Sequence, residues 1–292
     1  MKPATSEAPL RVTAADVVPA DREHGLPWSS LAALFVLTLR QLVHGRRLLV
    51  VAFLFALPVG LSILARALGA PEYGVEFAFV FILIPHALLP LTALLYASGV
   101  IQDELEDQTL TYLLIRPIPK WALYVTKLLA TLCITMALVV TFTLLTYLAI
   151  FLGTPEFWGP VFPLKPFQAA LLFVLSLVAY CSFFGWLGLM VRRSLVLGVV
   201  YIVLFEWLLA NIDFAVRRLT VTYYWRVLAD RWLEIRPDPQ RIGASTVWSL
   251  GTDDPTNLQC VLALLGVSLL LTLLAALNVT RREFRMKTPE GS

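Results

Sequence analysis

Six hydrophobic stretches divide the chain, over 48–68, 77–100, 124–152, 167–191, 195–212 and 258–279. Each is free or nearly free of charge and approaches or exceeds the roughly 20 residues an α-helix needs to cross a hydrocarbon core about 30 Å thick. They predict six transmembrane helices. Ahead of them, apolar positions from Leu31 to Leu39 follow Pro27-Trp28-Ser29-Ser30, where either serine can cap a helix that runs to about His44. That apolar core is too short to span, so this helix is expected to lie along the membrane surface, with Trp28 at headgroup level and Arg40 turned to water.

One polar, amphipathic segment interrupts the pattern between the second and third stretches. Read as a helix, 102–120 carries Asp103, Glu104, Glu106 and Asp107 in its first turns and Arg116 in its last, which complements the helix macrodipole at both ends. Leu110, Leu113 and Leu114, at i, i+3 and i+4, make an apolar stripe. Pro117 and Pro119 then stop the helix, because proline removes a backbone donor and pushes the preceding residue out of the α region. A short, stiff lever with a sharp end is the expected result.

Composition agrees with the pattern. Of 292 residues, 59% are hydrophobic and only 15% charged, with a mean hydropathy of +0.78, which describes an all-α, polytopic membrane protein. Basic residues then set its orientation. Arg40, Arg46 and Arg47 precede the first span, Arg116, Lys120 and Lys127 follow the second, Arg192 and Arg193 follow the fourth, and Arg281, Arg282, Arg285 and Lys287 follow the last. The short loops 69–76 and 153–166 hold only Lys165. The positive-inside rule therefore assigns both termini and the acidic lever to the cytoplasm, in a cell membrane. The segment 213–257 falls outside by the same count; its arginines are offset by acids, and its tyrosines and tryptophans suit external helices lying at the outer leaflet. Residues 1–26 read as a polar, disordered cytoplasmic tail without the apolar core of a signal peptide, 27–287 as the membrane domain, and 288–292 as a C-terminal tail.

Candidate chemistry is sparse. Cys133, Cys181 and Cys260 are isolated within spans, and His24, His44 and His86 form no metal-binding spacing. None of the five lysines follows a glycine, so no phosphate-binding loop is present and nucleotide chemistry would have to come from another polypeptide. Two polar residues lie at membrane depth. Glu206, in the fifth span, must be neutral, paired or wet, since a charge there costs about 2.5 to 3.5 kcal/mol on insertion scales. His86 sits between Pro85 and Pro90, which free backbone carbonyls and kink the second span. Both are candidates to line a polar path through the bundle or an interface between subunits, and both have a plain structural alternative as satisfied buried groups.

The order of a surface helix, two spans, an acidic amphipathic helix and four more spans resembles the membrane subunits of ABC type 2 exporters. The most specific element is 106–120, Glu-Asp-Gln-Thr-Leu-Thr-Tyr-Leu-Leu-Ile-Arg-Pro-Ile-Pro-Lys, followed by Lys127-Leu-Leu-Ala130, which is similar to the family's cytoplasmic coupling segment and the start of its third span. The run Leu39 to Arg47 is similar to the family's approach to its first span; Gln108 departs from the pattern, standing where relatives commonly carry glycine before the threonine. The resemblance implies a separate ATP-binding-cassette ATPase that holds ATP and magnesium, a second copy of the permease or a related one, membrane lipid around both, and no cofactor, catalytic residue or nucleic acid on this chain. It also implies that Asp103, Glu104, Glu106, Asp107, Thr109, Leu110, Leu113, Leu114, Arg116, Pro117 and Lys120 couple to the ATPase. Two other classes are less well matched by these residues. A proton-coupled secondary carrier would use Glu206, but no internal repeat is evident. A membrane-embedded enzyme would need a nucleophile and a base at membrane depth, and no such pair is present in the sequence.

Overall fold

The computed structural model describes residues 28–100, 119–154, 159, 164–191, 193–208, 218, 220–233 and 255–281. These residues form helices only. In chain order they are α1 (Trp28–His44), α2 (Arg46–Ala67), α3 (Glu72–Ala97), α4 (Lys120–Phe151), α5 (Leu164–Met190), α6 (Ser194–Tyr201, continued by Ile202–Leu208), α7 (Val221–Leu233) and α8 (Asn257–Arg281). Five of them, α2, α3, α4, α5 and α8, are long and apolar enough to cross a membrane, so this is a multi-pass membrane protein. The fifth hydrophobic stretch forms the shorter α6, described as far as Leu208; residues 209–212 lie outside the described residues.

Neighbouring spans alternate in direction, and their contacts fix the register. Arg66 at the end of α2 donates through Nη1 to the carbonyls of Ala149 at 3.2 Å and Leu152 at 2.7 Å, so α2 and α4 run parallel. This arginine satisfies carbonyls that the C-terminus of α4 leaves without intrahelical donors. Glu76 near the start of α3 stands beside Tyr147 near the end of α4, so those two are antiparallel. Thr272 on α8 meets Ser182 on α5 at 3.3 Å and, further along both, Asn278 reaches Met190 Sδ at 3.9 Å, so these helices run in parallel. One end of the bundle therefore gathers Arg46 and Arg47, the end of α3, Lys120, Arg193 and Arg281, and is here termed the basic end.

Hydroxyl side chains inside the bundle return their protons to their own helices. Thr92, Thr131, Thr135, Thr146, Ser176 and Ser268 each donate to the carbonyl four residues earlier, which keeps polar groups satisfied where no water competes. Glycines set the closest helix contacts. A Cβ on Gly188 of α5 would lie 2.4 Å from the backbone oxygen of Ser98, and one on Gly198 of α6 would lie 2.1 Å from a Leu94 methyl. The last turns of α3 are thus clamped between α5 and α6 at the basic end, as small residues permit in membrane helix packing. Gly69 closes α2 with φ +79°; its N–H reaches the Arg66 carbonyl at 2.9 Å while that of Ala70 reaches Ala65 at 3.0 Å, a left-handed stop that favours glycine.

α1 packs along α4 at the basic end, where Leu34 and Leu31 meet Ala122 and Leu123. Its Trp28, Val36 and Leu37 remain exposed, which leaves an apolar face on the outside of the bundle.

Candidate functional site

Of the residues expected to form the ATPase-coupling lever, only Lys120 is described, and it opens α4. Asp103, Glu104, Glu106, Asp107, Thr109, Leu110, Leu113, Leu114, Arg116 and Pro117 lie outside the described residues. The two ends of that segment are fixed all the same: α3 delivers the chain to the basic end at Ala97, and α4 departs from the same end at Lys120. Lys127, two turns into α4, is buried.

The two polar residues at membrane depth come together around a single element, α7. A charge-balanced segment with several arginines and aromatics suggested a helix laid across the ends of the spans. α7 is instead inserted among α3, α5, α6 and α8, with Tyr223, Trp225, Arg226, Val227, Leu228 and Leu233 buried. The reason lies in Trp225 and Arg226. The Trp225 ring stacks on Phe173 at 6.0 Å, meets Phe81 at 6.3 Å and receives His86 edge-on at 6.0 Å. The Arg226 guanidinium is not left in lipid, because its Nη2 donates to His86 Nε2 at 2.7 Å. A guanidinium has no acceptor, so Nε2 is the bare nitrogen, and Nδ1 carries the proton and donates to the Ile82 carbonyl at 3.1 Å.

Glu206 occupies the other end of α7 and is fully buried. Its Oε1 accepts from the Tyr201 hydroxyl at 3.1 Å and the Val221 N–H at 3.2 Å; its Oε2 accepts from the Thr222 N–H at 3.1 Å and the Thr222 hydroxyl at 2.5 Å. Val221 and Thr222 are the first residues of α7, whose N–H groups have no intrahelical acceptor. Thr220 Oγ1 takes the next one, from Tyr223 at 3.3 Å. Since the Thr222 hydroxyl spends its proton on Glu206, the contact at 3.3 Å between Tyr180 and Thr222 is a donation by the tyrosine.

Depth follows from helix rise. At about 1.5 Å per residue, Glu206 stands about 18 Å above the start of α6, His86 about 17 Å from the end of α3 and Tyr180 about 15 Å from the end of α5, all measured from the basic end. Helices α3 and α5 are each about 40 Å long, so the cluster lies near mid-height. From there α7, about 20 Å long, climbs to the opposite end, where Arg231 donates to the Pro255 carbonyl at 2.8 Å and to Asn257 Oδ1 at 3.1 Å, beside the start of α8. The described parts of α6 and α7 thus between them reach from the basic end to the opposite end. The segments that bear the two polar residues, Phe77–Leu88 and Ile202–Leu208, are wound as wide π turns, a geometry frequent at functional sites.

The architecture is that of a polytopic helical permease with a polar centre around an inserted half-helix. Residues 44–221 match the family described as ABC-2 family transporter protein, and with that share of its 292 residues covered the chain belongs to this family. It is the membrane component of such a transporter, a part that has no ATPase activity and binds no cofactor of its own, and ABC-2 permeases generally pair with an ABC ATPase. Comparison with curated proteins returned no match.

Tyr180, Tyr201, Thr222, Trp225 and Arg226 complete the polar centre, and the sequence pattern did not single them out. A signal was present in Thr220 and Thr222, two hydroxyl residues at the head of an amphipathic run, which is the composition of a helix start.

Proposed function

We propose that this chain is the membrane-spanning half of an ABC exporter, forming the translocation path and driven by a separate ATPase subunit through the segment 102–120. The observation that carries the reading is the geometry around that segment. α3 and α4 both end at the basic end, the last turns of α3 are clamped by Gly188 and Gly198, and α4 starts directly at Lys120. A push on a stiff, proline-stopped helix between two such anchors moves α3, α5 and α6 as packed bodies, whereas a glycine-serine linker would absorb it.

In this reading the basic end faces the cytoplasm of a cell membrane, both termini lie there, and Asp103, Glu104, Glu106 and Asp107 meet cationic residues of the ATPase while Leu110, Leu113 and Leu114 seat the helix. A second copy or a related permease completes the path, and lipid covers the remaining apolar surface. Glu206 and His86 act on the path through α7, which both hold from within the bundle. Use of Glu206 as a proton carrier has less support, because both of its oxygens are engaged by four donors of this chain.

The test is purification of the full chain from membranes that contain its ATPase. Co-purification of the ATPase with the native chain, lost when Asp103, Glu104, Glu106 and Asp107 are changed together to Asn or Gln, supports the exporter. Retention of the ATPase by that variant, or ATP-independent transport by the purified chain in liposomes, contradicts it.

A further inference from the structure

We infer that Glu206 is the positioning residue that ties α7 to α6: from α6, its carboxylate caps the N-terminus of α7 at mid-height. A helix start normally draws its cap from its own chain just upstream, as Thr220 does for Tyr223. The two donors that Thr220 leaves over, the N–H groups of Val221 and Thr222, would be orphaned in a bundle interior, where an unsatisfied N–H costs several kcal/mol. Glu206, 15 and 16 residues earlier, takes one on each oxygen. The hydroxyls of Tyr201 and Thr222 fill the remaining lone pairs, and Tyr180 braces Thr222 from α5.

The acid fits the place. The carboxyl group meets the positive end of the α7 dipole and four convergent donors. The same arrangement dictates mechanics. α7 reaches the opposite end of the bundle through Arg231, so its inner end cannot leave α6 without breaking three hydrogen bonds at once. During transport α6 and α7 shift as a pair. Glutamine is the informative replacement: it keeps the size, but its amide brings two donors to a site that already offers only donors.

The experiment is hydrogen exchange of the full-length protein in lipid nanodiscs, read on the amides of 222–226 against those of α4. The readout does not involve an ATPase, so its failure is separable from failure of the coupling reading. In Glu206→Gln, exchange at 222–226 is expected to accelerate roughly ten- to a hundredfold while α4 is unchanged. Adding Val221→Pro removes one of the clashing donors at a position that suits proline, and is expected to restore part of the protection. A general packing defect would not be relieved in this way. Should the glutamine variant not accumulate, Thr222→Val removes the hydroxyl donor alone and is expected to raise exchange about three- to tenfold. Exchange within about twofold of the native protein in Glu206→Gln, or in Thr222→Val where that variant stands in, overturns the inference, as does a Val221→Pro change that gives no relief.

Discussion

Arg226 and His86 are 140 residues apart in the chain and 2.7 Å apart in space, with the guanidinium donating to the bare Nε2 of a neutral imidazole. The contact joins α7 to the middle of α3 and accounts for an arginine within a helical bundle. His86→Phe removes the acceptor while keeping a ring against Trp225, and is expected to lower the thermal stability of the detergent-solubilised protein by about 1.5 to 3 kcal/mol, the range for hydrogen bonds to charged groups. Arg226→Met in the His86→Phe background should recover part of that loss, because the stranded charge is gone. A double-mutant cycle measures it, and strict additivity would contradict the pairing.

Helix contact at the basic end predicts a sharp steric asymmetry among glycines. Gly188→Ala would drive a methyl to 2.4 Å from the Ser98 oxygen and 3.0 Å from its Cα, backbone atoms that cannot rotate away. Destabilisation of about 1 to 3 kcal/mol or more is expected, seen as a fall in melting temperature and in monodisperse yield. Gly60→Ala and Gly266→Ala meet nothing within 4 Å and should leave both quantities unchanged or slightly improved.

Much of the bundle was legible from hydropathy alone. The stretches 48–68, 124–152, 167–191 and 258–279 correspond to Arg46–Ala67, Lys120–Phe151, Leu164–Met190 and Asn257–Arg281 within a few residues, because lipid enforces both length and apolarity. α3 starts at Glu72, earlier than its uncharged stretch, since Glu76 is buried beside Tyr147 instead of marking a loop. α7 was not legible as an inserted element. Its arginine finds an acceptor on α3 and its orphan N–H groups find Glu206 on α6, and neither partner is within a helical turn in sequence. Hydropathy windows count Arg226 and Glu206 as costs; the fold converts each into one side of a hydrogen bond.

Arg66 makes a milder prediction. Its guanidinium faces the exposed carbonyl end of α4, where a cation is worth about 0.3 to 1 kcal/mol. Arg66→Gln should therefore cost little in global melting temperature, while amide exchange in the last turn of α4, around 148–152, rises severalfold. A global loss as large as that of Gly188→Ala would mean that the residue supports more than this helix end.

Side-specific labelling of the lever tests the whole account most directly. A cysteine placed at Asp107, in a chain whose Cys133, Cys181 and Cys260 are replaced by serine or alanine, is exposed to a membrane-impermeant maleimide in sealed cells and in inverted vesicles, with and without the ATPase subunit. Reaction only in inverted vesicles, and protection there once the ATPase is bound, is the predicted result. Labelling from the outside of sealed cells, or labelling that the ATPase leaves unchanged, would contradict the assignment of 102–120 as the segment through which ATP hydrolysis moves the bundle.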